Sequence, residues 1–516
     1  MTKIIPAIGA LTSGVLVTLS LAPFNYWPLA LISTAILFTL LQQRDKSRPI
    51  KQAALLGWLF GLGLFGSGAS WVYVSIHEFG YTSIPLAAFL TFLFCGGLAI
   101  CCAITWGAYA WLNTSSHKQE QKQKPNRAQN LWTILLFAAI WVWGEWMRSW
   151  LLTGFPWLFI GYSQTETVLA SWASIFGVYG ISFIICFSGA ALSTLITARK
   201  KLSTAAAPIT LAITLWLIAI PLSTSPTEQT NSKPLKVSMV QANISQHEKW
   251  QRENLQPTMD LYAALSEQHW NDSELIIWPE AAIPTYYQYA NEFIEVIQAR
   301  ALQTNSALLT GIPSRDTHSD SSYNSVITVG NASGVYHKQN LVPFGEYIPF
   351  AAIAANILDF FALPVSSMTA GHPDQAALSI QGWQSKPLIC YEIVYPGLAA
   401  KAAAISDVLI TISNDSWFGA SIGPLQHLQM AQMRALENQR YVLRSTGNGV
   451  SAVIGPDGKI LAKTPQFERT VLSAEFYLLN NITPWTRAGY WLTPLFLSAI
   501  LLFALLKKFR HSKRAK

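Results

Sequence analysis

Charge is scarce in this sequence. Lysine, arginine, aspartate and glutamate make up 12% of its 516 residues, against 51% hydrophobic residues, and the mean hydropathy is +0.29. So few charges exclude an ordinary soluble globule, and the length exceeds one domain. A membrane part is expected. Eight apolar runs, at about 4–21, 26–41, 52–76, 84–112, 130–150, 166–198, 205–222 and 488–506, reach or approach the ~20 residues that carry a helix across ~30 Å of hydrocarbon. Lysine and arginine are absent from the connections at about 22–25, 77–83 and 151–165. They gather instead in the alternate ones: Arg44, Lys46, Arg48 and Lys51, then Lys118, Lys122, Lys124 and Arg127, then Arg199, Lys200 and Lys201. Six more, from Lys507 to Lys516, close the chain. Positive loops stay in the cytoplasm, so both termini are expected inside. The net charge of +8 is then a topology signal rather than a nucleic-acid footprint. Ser20-Leu-Ala22 resembles a signal-peptide cleavage site, but removing the first run would spoil the charge alternation, which favours a retained anchor.

Cysteine is scarce too. Of five, Cys95, Cys101, Cys102 and Cys186 fall in predicted spans, where a thiol is commonly a small apolar filler. Only Cys390 lies in residues 223–487, a polar stretch dotted with Pro and Gly between the seventh and eighth runs and on the outer side by the loop charges. The expected organisation is a transmembrane domain over 1–222, an exported domain over 223–487, and a last span with a basic tail over 488–516. An exported thiol with no partner in its own domain has no disulfide to form. It is either a buried structural residue or a nucleophile, and the oxidising compartment favours the nucleophile.

Short apolar runs in that stretch predict strands over 235–242, 275–278, 307–311, 325–329, 387–390, 408–413 and 449–454, with helices near 253–269, 290–304 and 424–438. Gly455-Pro-Asp-Gly458 reads as a hairpin turn. Strands alternating with helices predict an α/β sandwich with reactive groups on strand-end loops.

A nucleophilic thiol needs a base and donors for the oxyanion it creates. His247, His269, His318, His337, His372 and His427 offer a Cys-His arrangement, yet none stands at a clear strand end, and scattered surface histidines account for most of them. A carboxylate with a lysine has sharper context. Leu275-Ile-Ile-Trp-Pro-Glu-Ala-Ala-Ile-Pro284 is an apolar strand ending in a corner that delivers Glu280 to the strand's C-terminal edge. Tyr336-His-Lys-Gln-Asn-Leu-Val-Pro-Phe-Gly-Glu-Tyr-Ile-Pro349 is a β-run feeding a broken loop, and it offers Lys338 and Glu346. Pro387-Leu-Ile-Cys-Tyr-Glu-Ile-Val-Tyr-Pro-Gly397 carries Cys390 itself.

These three motifs, in that order and about 50–60 residues apart, resemble the nitrilase (carbon-nitrogen hydrolase) superfamily, whose members place a Glu-Lys-Cys triad on an α-β-β-α sandwich. With about eight spans around an exported domain, the chain resembles the apolipoprotein N-acyltransferase family, membrane-embedded enzymes of that superfamily in the bacterial inner membrane. The resemblance implies transfer of an acyl chain from a phospholipid to the α-amino group of an S-diacylglyceryl cysteine, completing lipoprotein maturation. It implies Cys390 as the nucleophile that forms a thioester, Glu280 as the proton carrier, and Lys338 as the fixed positive charge on the oxyanion, with a backbone N–H near Tyr391. No metal or organic cofactor is implied. Glu346 and Glu392 match further family positions: Glu346 close enough to orient Lys338, Glu392 shaping the pocket or contacting the amine, or each a structural carboxylate bonded to a turn. Trp250 corresponds to a family tryptophan at the pocket mouth, with ordinary packing as the alternative. The uncharged stretch Phe350–Pro364 reads as a lid over the catalytic loop or as a packed helix, and Asn414-Asp-Ser-Trp-Phe-Gly-Ala420 as a second such loop carrying Trp417 and Phe418. In the spans, Glu145 and Arg148 are expected to pair locally. Two rivals remain at this level: a membrane-tethered amidase, with water replacing the amine, and a transporter or sensor whose outer domain only binds a ligand.

Overall fold

A computed structural model of the protein describes residues 4–44, 47–114, 127–197, 202–222, 233–316, 319, 321–348 and 368–513. The segment Phe350–Pro364, His318, and the loop charges Lys46, Lys118, Lys122, Lys124, Arg199, Lys200 and Lys201 lie outside them, as do Arg514 and Lys516 of the tail. The chain forms two compact units: Met1–Tyr73, Pro85–Thr224 and Ala488–Lys516 make one, Val74–Ile84 and Ser225–Arg487 the other.

The first unit is helical, with helices Ile4–Ser20, Pro28–Gln42, Pro49–Gly68, Ile84–Asn113, Arg127–Arg148, Ala173–Thr197, Leu202–Leu222 and Tyr490–Lys513. Among the described residues, five helices are long and apolar enough to cross a membrane: Pro49–Gly68, Ile84–Asn113, Val168–Leu195, Ala205–Leu222 and Trp485–Arg510. Ile4–Ser20 and Pro28–Gln42 are apolar but have 17 and 15 residues, or roughly 25 and 22 Å of helix. Arg127–Arg148 carries a charge at each end and Glu145 within. Glu145 and Arg148, both buried, each hold backbone of the following loop: Glu145 Oε1 accepts from Ile160 N at 2.8 Å and from Trp141 Nε1 at 3.0 Å, while Arg148 Nη1 donates to the Trp157 carbonyl at 3.0 Å.

The second unit is built on strands. In chain order they are β1 Leu235–Gln241, β2 Leu275–Ile277, β3 Ala307–Arg315, β4 Ser322–Gly330, β5 Ala332–Ser333, β6 Val335–His337 and β7 Leu378–Ile380. There follow β8 Trp383–Ser385, β9 Leu388–Ile389, β10 Leu409–Ser413, β11 Val442–Thr446, β12 Ala452–Ile454, β13 Ile460–Lys463 and β14 Thr470–Phe476. One sheet runs β14-β1-β2-β3-β4-β6, a second β13-β12-β11-β10-β9, and a small third β5-β7-β8. The two larger sheets face each other: Val237, Met239, Ile277 and Leu309 from the first and Ile389, Ile410, Ile412, Leu443 and Val453 from the second share one buried core. The other face of the first sheet, with Val240, Ile276, Leu308 and Ile312, is covered by Met259 and Tyr262 of the helix Leu255–Ser266 and by Ile297 and Ala301 of Asn291–Gln303. The helix Gly423–Asn438 packs on β11 and β12 of the second sheet, and Pro396–Ala403 packs against that helix. Because the central strands are buried on both faces, their sequences read as continuous apolar runs rather than alternating ones.

β11 and β14 are strands that the sequence reading did not foresee. β11, Val442-Leu-Arg-Ser-Thr446, has only two apolar residues before Arg444, and that guanidinium is fully buried. Among the described residues β14 is an edge strand paired only with β1, and most of its residues are partly exposed. The expected turn at Gly455–Gly458 joins β12 to β13, closed by Gly458 N to Gly455 O at 2.9 Å.

Candidate active site

The site assembles at the C-terminal ends of parallel strands. β2 ends at Ile277, and the Trp278-Pro279-Glu280 corner follows, turned by Ala281 at φ +48°. The corner lies flat on β3 because residue 311 is glycine: a Cβ there would stand 2.6 Å from Ala281 N and 2.7 Å from Glu280 Cα, both backbone. β4 and β6 are antiparallel with Ser325 opposite His337, which sets Lys338 against Asn324, joined by Lys338 N to Asn324 O at 2.8 Å. In the other sheet β9 and β10 are parallel with Ile389 opposite Ile412, so the next residues, Cys390 and Ser413, stand side by side. Cys390 itself takes φ +53°, a left-handed conformation that strains any residue with a Cβ and needs holding by its surroundings.

Across these ends the charged groups interlock. Glu280 Oε1 lies 3.5 Å from Lys338 Nζ and accepts from Asn324 Nδ2 at 2.7 Å. Glu280 Oε2 accepts from Asn414 N at 2.7 Å, a bond that ties the corner of one sheet to the end of β10 in the other. Lys338 Nζ contacts both oxygens of Glu346, at 3.0 and 2.9 Å, and Asn324 Nδ2 donates to Glu346 Oε1 at 2.9 Å. Lys338 is buried. Burial works to lower its pKa, but Glu346 and then Glu280 outweigh it, and the ammonium is held well above the ordinary lysine range. The Cys390 thiol is pushed up, by burial first and then by Glu280, against the pull of Lys338. The resting sulfur is therefore a thiol that requires a base, with a permanent cation beside it.

The other residues named from the sequence separate clearly. Glu346 meets Lys338, as given above, and also accepts from Val342 N at 2.8 Å. Glu392 is fully buried and gathers donors: Ile389 N at 2.7 Å, Gln339 N at 2.7 Å, Asn340 N at 3.1 Å and the Tyr336 hydroxyl at 3.0 Å. It thus ties the chain after β6, which bears Lys338, to the chain before Cys390. Burial raises its pKa to about 7, opposed by the N–H groups of Ile389 and Gln339. Above about pH 8, where the Glu392 carboxylate is ionised, Glu392→Gln replaces an oxygen that only accepts by a group that only donates, facing N–H donors. It is expected to cost about 2–3 kcal/mol in thermal unfolding, and an unchanged melting temperature would reject this assignment. The Tyr391 ring is buried edge-on to Tyr395, centroids 5.3 Å apart. Trp250 is exposed at the end of the short helical turn Gln246–Lys249. In the second loop Trp417 is exposed while Phe418 turns inward; Trp417 O accepts from Ser75 Oγ at 2.7 Å, and its ring meets Phe79 edge-on at 5.5 Å.

Several site residues escaped the sequence reading. Asn324 bridges the two carboxylates. Asn414 and Asp415 occupy the polar half of a stretch noticed only for its aromatics. Among the histidines, His427 is no surface residue: it is buried behind Cys390, its Nε2 3.2 Å from the Cys390 carbonyl. Lys249, beside Trp250, is buried and donates to the Glu280 carbonyl at 3.0 Å. Burial lowers its pKa to about 8, with Glu280 pulling it back up. Between that value and the ordinary 10.5 the folded chain holds Lys249 neutral while the unfolded chain holds it protonated, so stability rises with pH across that window. Wild type should gain about 3 kcal/mol relative to Lys249→Met between neutral pH and the top of the window. Parallel thermal melts at the two pH values check this, and a constant difference would reject it.

The family model for the apolipoprotein N-acyltransferase N-terminal domain matches residues 13–191, and that for carbon-nitrogen hydrolases matches residues 236–485. The chain is similar to the apolipoprotein N-acyltransferase of Pseudomonas syringae pv. tomato, 41% identical over 498 residues, with 96% of this chain and 95% of the relative covered. It is similar to that of Coxiella burnetii at 39% over 482 residues, covering 93% and 96%. Among solved structures, a CN-hydrolase superfamily protein from Xanthomonas campestris matches with 18% identity and TM-score 0.36, over 52% of this chain and 97% of that one.

Proposed function

The chain belongs to the apolipoprotein N-acyltransferase family, and from that premise we propose that it moves an acyl group from a phospholipid, through a thioester on Cys390, to the α-amino group of an S-diacylglyceryl cysteine at an apolipoprotein N-terminus. Glu280 takes the thiol proton as Sγ attacks the ester carbonyl. The tetrahedral oxyanion is met by Lys338 and by the Tyr391 N–H, and its collapse breaks the ester C–O bond; Glu280 hands the proton to the departing glycerol oxygen, releasing a lysophospholipid. In the second half the substrate amine attacks the thioester carbonyl, Glu280 takes a proton from the attacking nitrogen, and it returns that proton to the departing thiolate. One carboxylate serves both halves because they are mirror images. The thioester retains enough free energy to form an amide without ATP.

The observation that carries this reading is the convergence of three distant motifs. Glu280 and Lys338 stand 3.5 Å apart, and both act electrostatically on the Cys390 thiol. Glu346 and Asn324 hold Lys338 and Glu280 in that relation, while Trp250 and Trp417 offer exposed rings that suit a lipid-modified acceptor. The alternation of basic and uncharged connections supports an eight-span protein of the bacterial inner membrane, with residues 223–487 periplasmic and both termini cytoplasmic.

Purified protein incubated with acyl-labelled phospholipid tests the proposal. A thioester on Cys390, stable to water and discharged by a diacylated lipopeptide, is expected. Rapid discharge by water would instead indicate an amidase-like hydrolase, and no covalent adduct would indicate a binding protein.

A further inference from the structure

Behind Cys390 lies a buried polar cluster that the reaction as described does not use. His427, on the helix Gly423–Asn438, places Nε2 3.2 Å from the Cys390 carbonyl oxygen. Its Nδ1 is 3.2 Å from Arg444 Nη2 and 3.3 Å from Asp415 Oδ1. Arg444 Nη2 also donates to Asp415 Oδ2 at 2.6 Å, and Asp415 Oδ1 accepts from Ser413 Oγ at 2.7 Å, which in turn lies 3.2 Å from Cys390 Sγ. All four of these side chains are buried.

A carbonyl only accepts, so Nε2 must carry a proton that points at Cys390. Nδ1 faces both a donor, Arg444 Nη2, and an acceptor, Asp415 Oδ1, so it finds a partner with or without a proton, and the Nε2–H on Cys390 is present in both states. Burial and the neighbouring Arg444 also hold its pKa below the ordinary histidine value.

The carbonyl of Cys390 and the N–H of Tyr391 belong to one peptide unit, planar and trans. Fixing the carbonyl direction fixes the N–H direction, opposite to it. A hydrogen bond accepted by the oxygen also polarises the amide and strengthens its N–H as a donor. Such fixing has a purpose here because Cys390 sits at φ +53°, a conformation it would relax from if unheld. We propose that His427 is a positioning residue for acyl transfer: it pins the Cys390 carbonyl and so aims the Tyr391 N–H at the oxyanion, while Asp415 and Arg444 hold the ring in place from the Nδ1 side. This rests on the reading of Cys390 as the acylated nucleophile.

The test compares two reactions of the same sulfur in the full-length protein. Acylation by phospholipid passes through an oxyanion; alkylation by iodoacetamide is a direct displacement and does not. His427→Asn keeps a polar amide but stops short of the Cys390 carbonyl, whereas His427→Gln extends an N–H to about the Nε2 position. The expected result is that the Asn variant forms the thioester about 10- to 100-fold more slowly, a large part of what one oxyanion donor is worth. Its alkylation rate should stay within about 3-fold of wild type, with the Gln variant in between. Equal acylation in wild type and the Asn variant would overturn the proposal, as would alkylation falling in parallel with acylation, since that would mean the thiol itself had been displaced. If the Asn variant does not fold, His427→Phe, which keeps a ring of similar size without the N–H, takes its place under the same criteria. Absence of any adduct in wild type would defeat the thioester reading instead, so the two failures are distinguishable.

Discussion

Cys390→Ala is expected to abolish the covalent phospholipid-derived label and to reduce acyl transfer by at least about 10⁴-fold, the scale on which loss of an attacking group is felt. The size of the effect follows from the arrangement. Glu280 is committed to hydrogen bonds with Asn324 and Asn414, and Lys338 is held by two carboxylates, so neither can replace the sulfur as a nucleophile. Alanine removes the sulfur and leaves the left-handed turn with its Cβ intact, so the fold is expected to survive. Cys390→Ser should behave differently: its hydroxyl sits where the same base and oxyanion donors operate, but an ester is a poorer acyl donor than a thioester, so slow labelling without discharge by lipopeptide is expected. Mass spectrometry of intact protein reads both results. Multiple turnover in the alanine variant would remove Cys390 from the mechanism.

Lys338→Met should be nearly as severe, with activity falling at least about 10³-fold, and for two reasons that can be separated. The first is loss of the cation on the oxyanion, worth about 10²–10³. The second is electrostatic. With Lys338 gone, Glu280 and Glu346 remain bound to the same Asn324 amide, at 2.7 and 2.9 Å, as two carboxylates in a largely buried site with no cation between them. Like charges so placed share a proton, and a protonated Glu280 cannot accept one from the thiol. The residual activity of Lys338→Met should therefore climb as pH rises and the shared proton leaves. Single-turnover thioester formation measured against pH checks the direction. A loss of less than about 10-fold, or a residual rate that falls with pH, would show that Lys338 has another role.

Some of this was legible in the chain because it is local. Glu280 follows an apolar strand and a Trp-Pro corner, Lys338 ends a β-run, and Cys390 ends another; each motif carries its own secondary structure and its reactive residue at the strand end. A lone thiol in an otherwise cysteine-free domain can be seen without coordinates. The supporting residues cannot, because their meaning depends on register between strands far apart in sequence. Asn324 is an ordinary polar residue of β4 until β6 sets Lys338 against it. Lys249, in a short helical turn, and His427, on the longer helix Gly423–Asn438, resemble solvated residues, and only packing shows them buried. Glu392 is ambiguous in sequence because it lies two residues from Cys390; the short turn after β9 directs its carboxylate to backbone donors on another segment.

The sequence alone determined that the protein has an apolar helical part and an α/β part, and that three motifs carry a carboxylate, a lysine and a thiol. Those properties follow from composition and short-range pattern, which need no knowledge of neighbours. Tertiary structure alone decided that Glu280 and Glu346 both face Lys338 while Glu392 serves the backbone, and that a histidine backs Cys390. Those depend on sheet pairing, which brings residues more than 100 positions apart within a hydrogen bond, as Glu280 and Asn414 are at 2.7 Å.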